Sequence, residues 1–101
     1  MVMKAAFLVI VPGSDPEKHR TVLSTDFVDL IVQMVANMDQ ALEHAVRLAD
    51  EGCSVIEMCA GFGNSMTGKI ADAVRGKAMV GSVRFDIHAA LGMSSDEVFG
   101  K

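Results

Sequence analysis

Ser14–Leu23, SDPEKHRTVL, is the stretch on which the reading of the fold turns. It lies between two apolar runs, and as a helix it makes the chain an alternation of strands and helices. Ser14 and Glu17 have capping-box spacing, and Pro16 suits a first helical turn. A short, weakly amphipathic helix over 15–23 is therefore expected. If the stretch is not helical, the alternative is a ferredoxin-like α+β fold, a kind that often dimerises through its open sheet face.

The flanking segments read more simply. Residues 5–11 are a continuous apolar run stopped by Pro12-Gly13, the pattern of a parallel strand covered on both faces. VDLIVQMVA, 28–36, is a second strand, and Asn37 can cap the helix that follows. In that helix Ala41, Leu42, Ala45, Val46 and Ala49 make one stripe expected to face the sheet, with Glu43 and Arg47 paired on the wet side. Gly52 supplies its left-handed stop. CSVIEMCA, 53–60, is a third strand. A helix over about 65–75 turns Met66, Ile70, Ala71 and Val74 inward, and Gly76 ends it. AMVGSVRFD, 78–86, is a fourth strand. The tail 87–101 holds Gly92 and a short helical turn, SSDEVF. Right-handed crossovers then predict one α/β domain over 1–101, flavodoxin-like, with a four-stranded, mostly parallel sheet of order 2-1-3-4 and helices on both faces.

Composition narrows the function classes. Half of the 101 residues are hydrophobic, more than so small a core can hold, so self-association as a homo-oligomer, most simply a dimer, is expected. The net charge of −4, with no basic stripe and no Trp or Tyr, argues against nucleic acid. No run approaches the ~20 apolar residues of a membrane helix. The N-terminal MVMKAAFLVIVPG has no small-residue cleavage site and reads as a strand, not a leader. Cys53 and Cys59 form neither a zinc pattern nor a disulfide framework, which suits a reduced cytoplasmic setting.

The segment Cys59–Lys69, CAGFGNSMTGK, resembles a phosphate loop. Gly63 to Ile70 matches G-x-x-x-x-G-K-[ST] except that Ile70 replaces the magnesium-binding hydroxyl. Read as G-x-G-x-x-G, the loop has Met66 at its third glycine. Neither nucleotide reading stands, and no cofactor is called for. What survives is the geometry of a helix N-terminus after glycines, where Gly61, Phe62, Gly63 and Asn64 could approach an anion or merely form a tight turn.

Strand alternation gathers the other candidates. Glu57 and Cys59 share a face of the third strand; Ser82, Arg84, Asp86 and His88 share one on the fourth. Parallel neighbours would bring these ends together beside the glycine loop, with Gly13 as a further wall. Arg84 has the fork for a carboxylate or phosphate. Asp86, His88 and Cys59 are the candidates for catalysis. A buried Glu57–Arg84 ion pair with Asp86 capping a turn is the bland alternative, and Cys59 as a small buried hydrophobe is another. Cys59, Asp86 and His88 do not have diagnostic metal spacing, so no metal is assigned. His19 and His44 read as solvent-facing, and the methionines as core or interface filler. Three functions follow: a module binding a small anionic or polar metabolite; a small lyase or isomerase in which Asp86 or His88 moves a proton while Arg84 holds a carboxylate; and a structural oligomer subunit.

The apolar first strand with PGSDPEKHR, the Cys-x-Gly-Phe-Gly loop, the Arg-Phe-Asp-x-His segment and the DEVFG end together resemble a family of small single-domain prokaryotic proteins of unknown function. The resemblance covers nearly the whole chain and departs from the family pattern at NSMTGK, 64–69. It implies a family but no activity.

Overall fold

The structure, a computed structural model, describes residues 2–85 and 92–99. Its elements are β1 (Met3–Ile10), β2 (Arg20–Ser24), β3 (Val28–Val35), α1 (Met38–Asp50), β4 (Val55–Met58), α2 (Asn64–Ala73), β5 (Met79–Ser82) and α3 (Ser95–Phe99). The strands form one mixed sheet in the order β2-β3-β1-β4-β5. β1 is parallel to β3 and β4, β4 is parallel to β5, and β2 runs antiparallel to β3. The expected four-stranded sheet with helices on both faces is thus corrected to five strands with α1 and α2 on one face. The element order also differs from the βαββαβ of a ferredoxin-like fold.

The correction originates in 14–23. Only one helical turn forms there, when the Asp15 carbonyl accepts from Lys18 N at 3.1 Å and His19 N at 2.8 Å. Asp15 Oδ1, not Ser14, caps it by accepting from Glu17 N at 3.0 Å. Beyond His19 the chain is extended. Thr21 and Val22 are β-branched, and β3 offers an unpaired edge whose ladder satisfies their backbone groups. A nine-residue helix is marginal by itself and needs tertiary packing of an apolar face, which this weakly amphipathic stretch offers little of. Thr25 closes the hairpin, its Oγ1 accepting from Phe27 N at 3.2 Å and Val28 N at 3.0 Å.

Period-two alternation divides the sheet into two faces. Ala6, Leu8 and Ile10, Ile31 and Val35, and Ile56 and Met58 form one buried cluster with Ala45 and Leu48 of α1 and Met66 and Ile70 of α2. The intervening Phe7, Val9, Val32 and Met34 are half-buried and belong to no such cluster. Gln33 breaks the apolar pattern of its face, yet it is satisfied: its Nε2 donates to Pro16 O and Met34 O, both at 2.9 Å. A buried amide thus ties the 15–19 turn to the sheet.

α1 begins where Asn37 Oδ1 accepts from Gln40 N at 2.9 Å and Gln40 Oε1 accepts from Ala36 N at 2.7 Å, so two orphan donors are satisfied. It ends at Gly52, φ +104°, with Gly52 N and Cys53 N donating to Ala49 O and Leu48 O at 3.1 and 3.0 Å. Its buried stripe is Ala41, His44, Ala45, Leu48 and Ala49. The Ala41-Ala45-Ala49 row lets the helix backbone approach the strands. Val46, expected to face the sheet, is 37% exposed, and His44, expected in solvent, is buried beside a polar cavity that Gln33 and Arg20 also line. Among the described residues no helix is long and apolar enough to cross a membrane.

This rotation of α1 is testable by urea unfolding. Ala45→Asp, at a fully buried site, should cost at least about 3 kcal/mol, whereas Val46→Asp should cost less than about 1 kcal/mol. Equal losses would restore the stripe read from the sequence.

Candidate ligand-binding site

The site begins where β4 ends. Cys59 N donates to Leu8 O at 3.1 Å, and Phe62 N donates to Cys59 O at 3.1 Å, which turns the chain back under α2. Phe62, 1% exposed, drops into the core and anchors the turn with about 2–3 kcal/mol of apolar burial. Gly61 lies so close to β1 that a Cβ there would stand 2.5 Å from Ile10 Cγ2 and 3.3 Å from Cys59 Sγ. Gly63, the N-cap of α2, would place a Cβ 2.0 Å from Asp96 Oδ1 and 2.9 Å from Asp96 N. Neither has positive φ. Space, not backbone conformation, calls for glycine at both.

A cavity of about 240 Å³ opens above this loop. Ala60, Phe62, Gly63 and Asn64 form one wall, Val83, Arg84 and Phe85 a second, and Ser94 and Asp96 a third. The Asp96 carboxylate accepts from Ser65 N at 3.2 and 3.3 Å. A negative group is thus already placed at the N-terminus of α2, where the helix dipole favours it. The expected anion position is filled from within the chain. Arg84 is exposed, and none of the ion pairs among the described residues involves it.

The remaining sequence candidates separate. Glu57 lines a neighbouring cavity with Phe7, Gly81 and Val83; Val83 is common to both cavities. Register explains this placement. Glu57 pairs with Gly81 and Met58 with Ser82, so Glu57 lies on the uncovered face while Ser82 lies on the helix side and accepts from Thr67 Oγ1 at 3.2 Å. A one-residue offset between neighbouring strands is enough to reverse faces. The Glu57–Arg84 ion pair of the bland alternative is not among those formed by the described residues. Cys59 is half-buried and packs against the core. Gly13, φ +84°, forms the turn after β1 and does not line the Arg84 cavity. Asp86 and His88 lie outside the described residues. Among the described residues no group of three His, Cys, Asp or Glu could hold a metal ion.

Sequence reasoning missed Asp96 and Ser94. SSDEVF signals a helix start, and Ser94 Oγ does accept from Glu97 N at 3.3 Å. Nothing local marks Asp96 as the cap of a helix thirty residues away. The two thiols also differ. Cys53 is fully buried, and burial, with Glu51 adding to it, raises its pKa above the usual thiol value.

Three measurements check this geometry. Gly61→Ala should destabilise the fold by about 1–3 kcal/mol, because Ile10 must shift within a packed core. Gly63→Ala should spare the core but displace Asp96, read as faster hydrogen exchange across 92–99. Equal and small effects of both would mean the loop is loosely held. In a native labelling experiment at pH 8, a thiol reagent should modify Cys59 well before Cys53; the reverse order would contradict their burial.

No curated protein and no solved structure matches this chain. Residues 3–97, nearly the whole sequence, match a single family, and the chain belongs to it: DUF6506, a family of unknown function.

Proposed function

We propose that this protein binds a small anionic or polar metabolite in the cavity between the 60–64 loop and Arg84. The observation that carries the reading is the pairing of opposite charges on its walls: an exposed guanidinium without a described ion-pair partner on one side, the Asp96 carboxylate on another. Such walls suit a ligand with a carboxylate or phosphate at one end and a hydroxyl or ammonium at the other. Arg84 holds two oxygens at once through its planar fork. Asp96 has acceptor capacity beyond its bond to Ser65 N. The volume, about 240 Å³, is below that of a pocket for a drug-sized ligand and suits a small metabolite. Cys53 and Cys59, both free thiols, suit a reducing cytoplasm.

The alternative is an acid–base enzyme of the lyase or isomerase type, with Arg84 holding a carboxylate and Asp86 or His88 moving a proton. Turnover of a retained ligand separates it from the binding module.

Native mass spectrometry of gently purified protein, with thermal shifts in inorganic phosphate and in a simple dicarboxylate, tests the proposal. A retained small anion or a clear rise in melting temperature is expected. Arg84→Lys keeps the charge and loses the fork. It should weaken binding about tenfold or more, as expected for a charge-assisted bond worth roughly 1.5–3 kcal/mol, with little change in stability. Neither retention nor shift, or equal binding by Arg84→Lys, would overturn the reading.

A further inference from the structure

The sheet face opposite α1 and α2 is apolar, broad and covered by no described element. We propose that it pairs with the same face of a second copy of this chain. Phe7, Val9, Leu30, Val32 and Met34 lie across its centre, half-buried, and Met79 stands at its β5 edge, 78% exposed. The registers join these positions into rows. Val32, Phe7 and Glu57 lie side by side, as do Leu30, Ala5, Val55 and Met79.

Area supports a stable dimer. Five strands about 4.8 Å apart span about 24 Å, and strands of four to eight residues run about 13–26 Å. The flat footprint is therefore roughly 400–500 Å² per copy, near 1,000 Å² for two before side-chain relief is added. That reaches the size of a specific interface. On a lone chain it would rank among the larger apolar patches that monomers expose, about 300–600 Å².

Charge identifies the occupant. Among the strand positions that share this face, Glu57 alone carries a charge. A face with no basic residue on a chain of net charge −4 does not suit an anionic lipid surface. Nor does it offer a charge pattern by which a foreign partner would be selected. A second copy brings an equally flat and apolar face at equal concentration, and sheets stack in this way at about 10 Å. Glu57 need not be buried by the pairing. It stands beside Gly81, whose missing side chain leaves a dip of about 320 Å³ near the β5 edge.

Sedimentation of the full chain at tens of micromolar tests the proposal. The wild type should sediment at twice its 10.7 kDa mass. Met79→Lys and Val32→Lys should each raise the dimer dissociation constant at least about tenfold, as at interface anchors. Val46→Lys, on the opposite side of the molecule, should leave it unchanged. Met79 is already mostly exposed, so Met79→Lys should keep its far-UV spectrum and keep the test valid should Val32→Lys fail to fold. A monomeric wild type, a dimer indifferent to Met79→Lys, dissociation by Val46→Lys, or a monomer that binds anionic vesicles instead would each overturn it.

Discussion

Two parallel crossovers, β3-α1-β4 and β4-α2-β5, step along the sheet in the same direction. Right-handed twist lets a crossover of either kind pack back onto the sheet only one way, so both helices are carried to one face. From that constraint come the buried cluster, the uncovered face opposite it, and the meeting of the β4 and β5 ends beside the start of α2. A helix over 15–23 would have opened the way to covering the second face. The hairpin formed instead adds an edge strand and leaves that face without a helix among the described residues.

The loop after β4 shows how one set of residues can satisfy two different readings. Glycines ahead of a helix suggest a site for a bound anion. Here Gly61 makes room for Ile10 and Gly63 makes room for Asp96, and the Asp96 carboxylate supplies the negative charge that the helix favours. The segment carrying Asp96 therefore forms part of the wall of the cavity that Arg84 also lines. The cavity is thus built from three separate parts of the chain.

The sheet divides its polar residues between its faces for reasons of packing. Gln33 is buried because its amide reaches the Pro16 and Met34 carbonyls and holds the 15–19 turn. His44 is buried because the alanine row of α1 turns it toward a polar cavity. Glu57 stays exposed beside Gly81, where water can reach it. Only the last lies near the candidate site, and it faces away from Arg84.

Much was legible in the residues taken by themselves. The apolar runs of β1, β3 and β4 marked strands, and Asn37 and Gly52 bracketed α1, because burial on a pleat and the capping of a helix are local effects. The α/β class and the place of Arg84 near the glycine loop followed from those elements. The stretch 14–23 misled because its capping-box spacing and Pro16 are real local preferences, but the free edge of β3 offered its backbone a better ladder. Of the expected α1 stripe, Ala41, Ala45 and Ala49 are buried and Leu42 packs half-buried against the core, but Val46 lies too far round the helix, and His44 and Leu48 are buried on the other side of the alanine row. Glu57 parted from Arg84 because strand register, a relation between distant segments, decides which face a side chain takes. Asp96 as the cap of α2 was beyond local reading for the same reason. By itself the sequence determined β1, β3, β4, α1 and α2, since burial on a pleat and helix capping depend on neighbours within a few residues; at 14–23, where a distant edge competed, it did not. Only the tertiary structure decided which face is covered and which groups meet at the cavity, because handedness, register and close contact join residues tens of positions apart.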